Sequence, residues 1–302
     1  MSKFLGYAHP DYARSLSEFG SPRFLPESKG WILEREIPGF DYKDAMGCYP
    51  VFACQNWYSI KEDLQVLENN LVSLALVTDP FGNFDIQQLS EVFETFIEFK
   101  NHYISDLSEP IESFVRKKTQ YQSLKALEKI QVEHCEKPYD YSEDWISIYD
   151  HLILRHQLKG IHRFSRKYFK QLLFLPEIDL FLARYDKQIV GGHIWIRTKE
   201  VGYSHLLALT PLGYKIRAGY ALNWASMQYF SGDLLWLDFG GLPGTGQIDD
   251  KRAEFKRGWA SGVKPVYFCG RILNQEIYRI ITKNKGIYNT NYFPAYRAGE
   301  FS

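Results

Sequence analysis

Between Ile178 and Ile272 the hydrophobic pattern changes period repeatedly over short distances. "IDLFLARYD" and "QIVGGHIWIRT" flank Asp186-Lys187 and predict a hairpin. "GYSHLLALT" predicts a further strand. "GYKIRAGYALNWASMQYF" predicts a helix opening after Pro211 and Gly213, and "LLWLDF" another strand. "DDKRAEFKRGWA" has helical spacing, and "VKPVYFCGRIL" is a long strand pattern. Strands separated by single helices cannot pair as an all-β sandwich or pack as a helix bundle. They predict an α/β fold built on a mixed sheet.

The first half is a shorter version of the same alternation. "WILERE" and "GCYPVFACQNWY" read as strands, "SIKEDLQVLENN" as a helix capped by Ser59, and "LVSLALVTD" as a buried strand stopped by Pro80. "DIQQLSEVFETFIEFK" has the spacing of one amphipathic helix, "HYISDL" that of a strand, and "RKKTQYQSLKALEKI" that of a helix. "YSEDWISIYDHLILRHQLKG" predicts a helix ending at Gly160, and "SRKYFKQLLFL" one capped by Ser165. The tail "NQEIYRIITKNKG" reads as helical. Two similar α/β units in tandem are therefore expected, over 1–135 and 136–286, with 287–302 packing back on the first.

Lys+Arg and Asp+Glu both total 36. That balance argues against a dedicated nucleic-acid binder, which would carry excess base. The run "RHQLKGIHRFSRKYFK" could engage a phosphorylated substrate or a tRNA acceptor stem, although such runs are more often solvated helix faces. Cys48, Cys54, Cys135 and Cys269 form no CxxC pair and read as buried free thiols of a reducing compartment. No signal-peptide core is evident, and no apolar run approaches the roughly 20 residues of a membrane span. A cytoplasmic protein is expected.

"LLWLDFGGLPGTGQ" raises the question of a phosphate loop. Gly241 and Gly246 have P-loop spacing, but Gln247 and Ile248 stand where Lys and Ser/Thr are required. A dinucleotide fingerprint also fails, because Gly244-Thr245-Gly246 continues as Gln247, Ile248, Asp249. The glycines instead suit the end of a strand where side chains will not fit. His151 and His156 are five apart and do not share a helical face, and no GxSxG elbow occurs. No metal is expected.

The same neighbourhood carries a family resemblance. "GYALNWASMQYFSGDLLWLDFGGLPG" followed by "AEFKRGW" resembles the FemAB-type peptidoglycan-bridge aminoacyltransferases and related acetyltransferases, double acyltransferase-fold proteins of the GNAT superfamily. The matching positions are Leu222, Trp224, Asp238, Phe239, Gly240, Gly241, Phe255, Lys256, Gly258 and Trp259. "LVSLALVTDP" and "FLARYDKQIVGGHIWI" extend the likeness over roughly residues 70 to 275. The coiled-coil insertion of many cell-wall members has no counterpart. Gly219-Tyr220-Ala221 fits the end of the superfamily's coenzyme A motif, but Ile216 stands where Gln or Arg is expected and Arg217 is one residue out of register.

The resemblance implies two tandem GNAT-like domains and transfer of an acyl or aminoacyl group onto an amine. The donor would be an acyl-CoA or an aminoacyl-tRNA. The acceptor would be a small-molecule, amino-sugar or peptide amine. Such a reaction needs proton removal and a stabilised oxyanion. Lys256 would supply positive charge, Asp238 would act as base or orient the amine, and Tyr220 would donate a proton. Tyr203, Arg217, Asn223, Trp224, Gly240, Gly241, Arg257 and Trp259 complete the candidate substrate-binding set. Asp238 could instead simply pair with Arg257 or with a backbone turn. A tandem GNAT scaffold without activity is the competing class. Oligomeric state is not readable from the chain.

Overall fold

The periodic segments become the strands and helices of the computed structural model, which describes residues 4–242, 250–287 and 290–300. Helix α1 (Pro10–Ser15) precedes an antiparallel meander of β1 (Ser21–Leu25), β2 (Gly30–Glu36) and β3 (Lys43–Gly47). Helix α2 (Ile60–Leu67) leads to β4 (Ser73–Val77), which lies parallel to β3, and α3 (Ile86–Val92) leads to β5 (Thr95–Asp106). After α4 (Ile111–Phe114) and α5 (Lys117–Leu127) come β6 (Gln131–Cys135), α6 (Ser142–His156) and α7 (Arg166–Leu172). Strands β7 (Ile178–Tyr185), β8 (Gln188–Arg197) and β9 (Val201–Leu209) are followed by α8 (Pro211–Lys215) and α9 (Ala218–Phe230). The chain closes with β10 (Trp236–Asp238), α10 (Asp250–Arg257), β11 (Gly262–Ile272) and α11 (Gln275–Asn284).

Contacts gather these elements into two compact units. One comprises 1–99, 159–168 and 265–302; the other comprises 100–158 and 169–264. Both are mixed α/β. The boundaries differ from a division at 135, because β5 and β11 each contribute residues to both units. In the first unit the strand order is β1-β2-β3-β4-β11. Its core gathers Phe52, Trp57, Leu64, Leu74, Leu76 and Cys269.

In the second unit the order is β5-β10-β9-β8-β7-β6, with β10 parallel to β9 and the other pairs antiparallel. The hairpin turns at Asp186 and Lys187, both at positive φ. Strand β8 is buried over most of its length, as its nearly continuous apolar run requires. Helix α9 has no side-chain cap at its start and is apolar almost all round. Its stability therefore comes from burial. Leu222, Met227 and Phe230 are fully enclosed, each worth roughly 1.5–3 kcal/mol of transfer free energy. They pack with Phe181, Trp195, Leu237, Phe239 and Trp259 in a single core.

Several expected elements change form. The helix over Asp85–Lys100 stops at Val92, where Phe93 turns to extended geometry, and Thr95 onward joins β5. Thr95, Phe96, Ile97 and Phe99 are β-branched or aromatic and suit a pleated surface better than a helix. "GCYPVFACQNWY" is not a strand: β3 ends at Gly47, and Phe52 and Cys54 make isolated bridges only. Pro50 has no N–H to extend the ladder. Helix α6 ends at His156, with Gln157 rather than Gly160 as its left-handed cap. The helix expected from Tyr214 onward breaks at Ile216 and Arg217, where Arg217 takes φ +64°. Ser59 makes no side-chain cap for α2, whereas the Ser165 hydroxyl does accept from the Tyr168 N–H at 3.1 Å.

Candidate active site

Strand β10 ends on Asp238, opposite Ile104 of β5 on one side and Tyr203 of β9 on the other. Beyond this point the neighbours part. Strand β9 continues to Leu209 in register with β8, while the chain after Asp238 stays with β5. The Phe239 N–H donates to the Tyr103 carbonyl at 2.8 Å, and the Tyr103 N–H to the Gly240 carbonyl at 3.3 Å. The first turn of α9 lies against the half of β9 left behind: a Cβ on Gly219 would stand 3.4 Å from Leu209 and 3.6 Å from Leu207.

Asp238 is 3% exposed and both carboxylate oxygens are engaged. Oδ1 accepts the Gly240 N–H at 2.6 Å, and Oδ2 lies 2.8 Å from Nδ1 of His102. Alternation along β5 explains the second contact, because His102 is two residues from Ile104 and shares its face. An ionised carboxylate only accepts hydrogen bonds, so Nδ1 carries the hydrogen and a neutral His102 keeps its lone pair on Nε2. Asp238 thus pairs with His102 and not with Arg257, which is exposed at the end of α10.

Two lysines hold the turn that follows. Lys256, projecting from α10, donates from Nζ to the Phe239 carbonyl at 2.6 Å and the Gly241 carbonyl at 2.7 Å. Lys100 of β5 donates to the Leu242 carbonyl at 3.2 Å. Burial pushes the Lys256 pKa down to about 8; the Asp238 charge opposes the fall, and Lys100 and Arg252 add to it. Burial also lowers that of Lys100. The two glycines make this arrangement possible. Gly240 takes φ +70°, and a Cβ there would sit 3.4 Å from the Lys256 ammonium. A Cβ on Gly241 would come within 2.5 Å of the Lys100 Cδ and 3.2 Å of the His102 Cδ2. Pro243 to Asp249, including the remaining loop glycines Gly244 and Gly246, lie outside the described residues.

The other sequence candidates are distributed around this point. Tyr203 is buried beside Asp238 across the β9–β10 pair. Tyr220 packs edge-on against Phe255 and near Trp259, and lines a cavity of ≈ 250 Å³ with Arg116, Lys118, Thr119, Lys251, Glu254 and Phe255. Trp224 and Trp259 are core residues, and Asn223 is 1% exposed within α9. These three are enclosed by the packing that holds α9, so they shape the site from behind rather than presenting a surface. Arg217 is exposed just before the first turn of α9. His193 is a core histidine whose Nε2 lies 2.8 Å from the Ser204 hydroxyl; burial pushes its pKa down to about 3.

His102 and Lys100 are absent from the sequence candidates. Nothing in the strand sets them apart, because Glu98, Asn101, Ser105 and Asp106 are polar as well. The 136-residue separation between His102 and Asp238 hides the pair from any local motif. Among the described residues, no group of three His, Cys, Asp or Glu side chains could hold a metal ion, and no helix is long and apolar enough to cross a membrane.

Residues 115–257, which include Asp238 and Lys256, match the family model described as an acetyltransferase (GNAT) domain. Solved structures extend the likeness over nearly the whole chain. The crystal structure of FemX superposes with a TM-score of 0.67 at 14% identity, covering 90% of this chain and 93% of that one. The C-terminal domain of a putative lysylphosphatidylglycerol synthetase from Agrobacterium fabrum gives 0.63 at 12% identity, covering 91% of each. L-PGS from Bacillus licheniformis gives 0.58 at 13%, covering 96% of this chain and all of the other. At these identities the shared property is the fold, and it agrees with the FemAB-type resemblance of the sequence. No curated protein matches the sequence.

Proposed function

We propose that the protein transfers an acyl or aminoacyl group from an activated donor onto an amine, at the end of β10. The observation that carries this reading is the Lys256 ammonium, held by two carbonyls beside a buried carboxylate where β9 and the chain after Asp238 separate. An ammonium has three hydrogens. Two are committed to Phe239 and Gly241, which orients the third and fixes the charge before any substrate arrives. Preorganised charge of this kind stabilises a carbonyl oxygen as it becomes an oxyanion. Gly240 leaves the approach to Nζ clear of a side chain.

The donor is an acyl-CoA or an aminoacyl-tRNA, each an anionic carrier with a reactive carbonyl, and both are cytoplasmic molecules. The acceptor is an amine of a small molecule, an amino sugar or a peptide. The lysyl group in the printed name of one neighbour is compatible with the aminoacyl case. Tyr220, with Arg116 and Lys118 around its cavity, is a secondary contact for the donor or acceptor, as is Arg217. Each of the two units is taken to derive from a GNAT-like domain, with the chemistry in the one that carries Lys256.

Thermal unfolding with acetyl-CoA and with uncharged tRNA separates the donors, since a ligand of the folded state raises Tm by mass action. One of the two is expected to stabilise the protein, and Lys256→Met is expected to lower transfer from it by roughly 10²–10³-fold while folding is retained. Full transfer activity in Lys256→Met would sink the reading. Stabilisation by neither ligand would favour the scaffold class.

A further inference from the structure

We propose that His102 is the base that takes the proton from the attacking amine, with Asp238 as its positioning partner. The proposal rests on the acyl-transfer reading and adds to it the group that moves the proton. Four observations converge on it. The Asp238 carboxylate fixes the tautomer from the Nδ1 side at 2.8 Å. Asp238 is itself held by the Gly240 N–H, so the imidazole is oriented by a group that cannot swing away. Gly241 has no side chain beside the His102 Cδ2, the ring carbon bonded to Nε2. Nε2 has no hydrogen-bond partner among the described residues, and the His102 side chain is 9% exposed beside Gly241 of the lysine-held turn.

The charged groups around His102 are Asp238 from β10, Lys100 from its own strand, and Lys256 from α10 acting on Asp238.

The step balances. The amine nitrogen forms a bond to the donor carbonyl carbon, and the carbonyl π pair moves to the oxygen beside Lys256. His102 Nε2 accepts the proton lost by nitrogen. Collapse of the tetrahedral intermediate breaks the bond to the leaving sulfur or oxygen, which takes the proton from Nε2. Nothing is oxidised or reduced.

The test uses the full chain with acetyl-CoA or alanyl-tRNA and a panel of primary amines. His102→Gln is expected to lower kcat by roughly 10²–10⁴-fold with KM changed by less than about threefold, the range of a lost general base. The ascending limb of the wild-type pH profile should flatten with it, and free imidazole should restore part of the rate to His102→Ala. Asp238→Asn should lower kcat less, while leaving the limb visible. Wild-type rate and pH profile in His102→Gln would overturn the proposal alone. Absence of transfer by the wild-type protein from both donors would overturn the transferase reading and this proposal together. Nitrogen NMR of the wild-type imidazole supplies a check independent of turnover: hydrogen on Nδ1 supports the assignment, and a neutral Nε2–H tautomer overturns it.

Discussion

Asp44 of the first unit and Asp238 of the second are both buried, and the two are treated in opposite ways. Asp44 of the first unit is fully enclosed and meets two guanidinium groups: Arg297 donates to both of its oxygens, and Arg35 donates from Nε at 3.2 Å. Arg297 also donates to the Glu36 carbonyl at 2.8 Å and to Glu300, and Arg35 to Glu300, so the C-terminal segment is tied to β2 and β3. Arginine does not release its proton under ordinary conditions. That cluster holds chain together and can do no acid–base chemistry. Asp238 meets an imidazole, a backbone N–H and the field of a lysine whose proton is loosely held. Asp44 thus meets permanent charges, whereas the neighbours of Asp238 are groups able to exchange a proton.

Substitutions that exchange these roles test the comparison. Asp44→Ala leaves two buried guanidinium groups without their carboxylate and should destabilise the fold by about 3–5 kcal/mol. Denaturant titration measures that loss, while kcat of the folded fraction should stay within about twofold. A large kcat effect would mean that the two clusters are not separable. Lys256→Met should act the other way, costing roughly 10²–10³ in kcat, the effect of one lost oxyanion donor, with a smaller change in stability.

Gly241→Ala is the milder probe. Its methyl would displace the Lys100 stem and weaken the bond to the Leu242 carbonyl. A rate loss of about tenfold is expected, equivalent to about 1.4 kcal/mol, together with a lowered Tm. An unchanged rate would show that Lys100 is not needed to shape the turn.

Smallest is the effect of pH. Lys256 carries its charge below about pH 8 and loses it above, so transfer should decline through that value, and the decline should vanish from the residual rate of Lys256→Met. Stability responds with the opposite sign. Between pH 8 and the ordinary lysine value of 10.5, the unfolded chain binds the extra proton, so this group's contribution to stability rises with pH. Thermal unfolding of wild type and Lys256→Met over that range checks the sign.

Much of the frame is legible residue by residue. "WILERE" opens with aromatic and β-branched residues and forms β2; Asp186-Lys187 turns a hairpin; Ser165 caps α7. These are local matters, settled by side-chain type, turn chemistry and a hydroxyl three residues from an N–H. The proximity of Asp238, Gly240, Gly241 and Lys256 is also legible, because they lie within 19 consecutive residues of one motif. Boundaries were less legible where two local preferences competed. The helical spacing of Leu89, Val92, Phe93 and Phe96 runs on past Val92, and only pairing in a sheet makes Thr95–Asp106 a strand.

The chain by itself therefore determined the alternation of strands and helices, the glycine break after Asp238 and the presence of an acid and a lysine on either side of it. Tertiary structure decided what those groups meet. Strand pairing places β5 beside β10 and brings His102 to Asp238 from 136 residues away. Packing of α10 turns Lys256 onto two carbonyls, and burial, with Lys100 and Arg252 beside it, lowers its proton affinity. Hydrogen-bond partners and desolvation depend on distances through space, and residue order sets such distances only over a few positions along the chain.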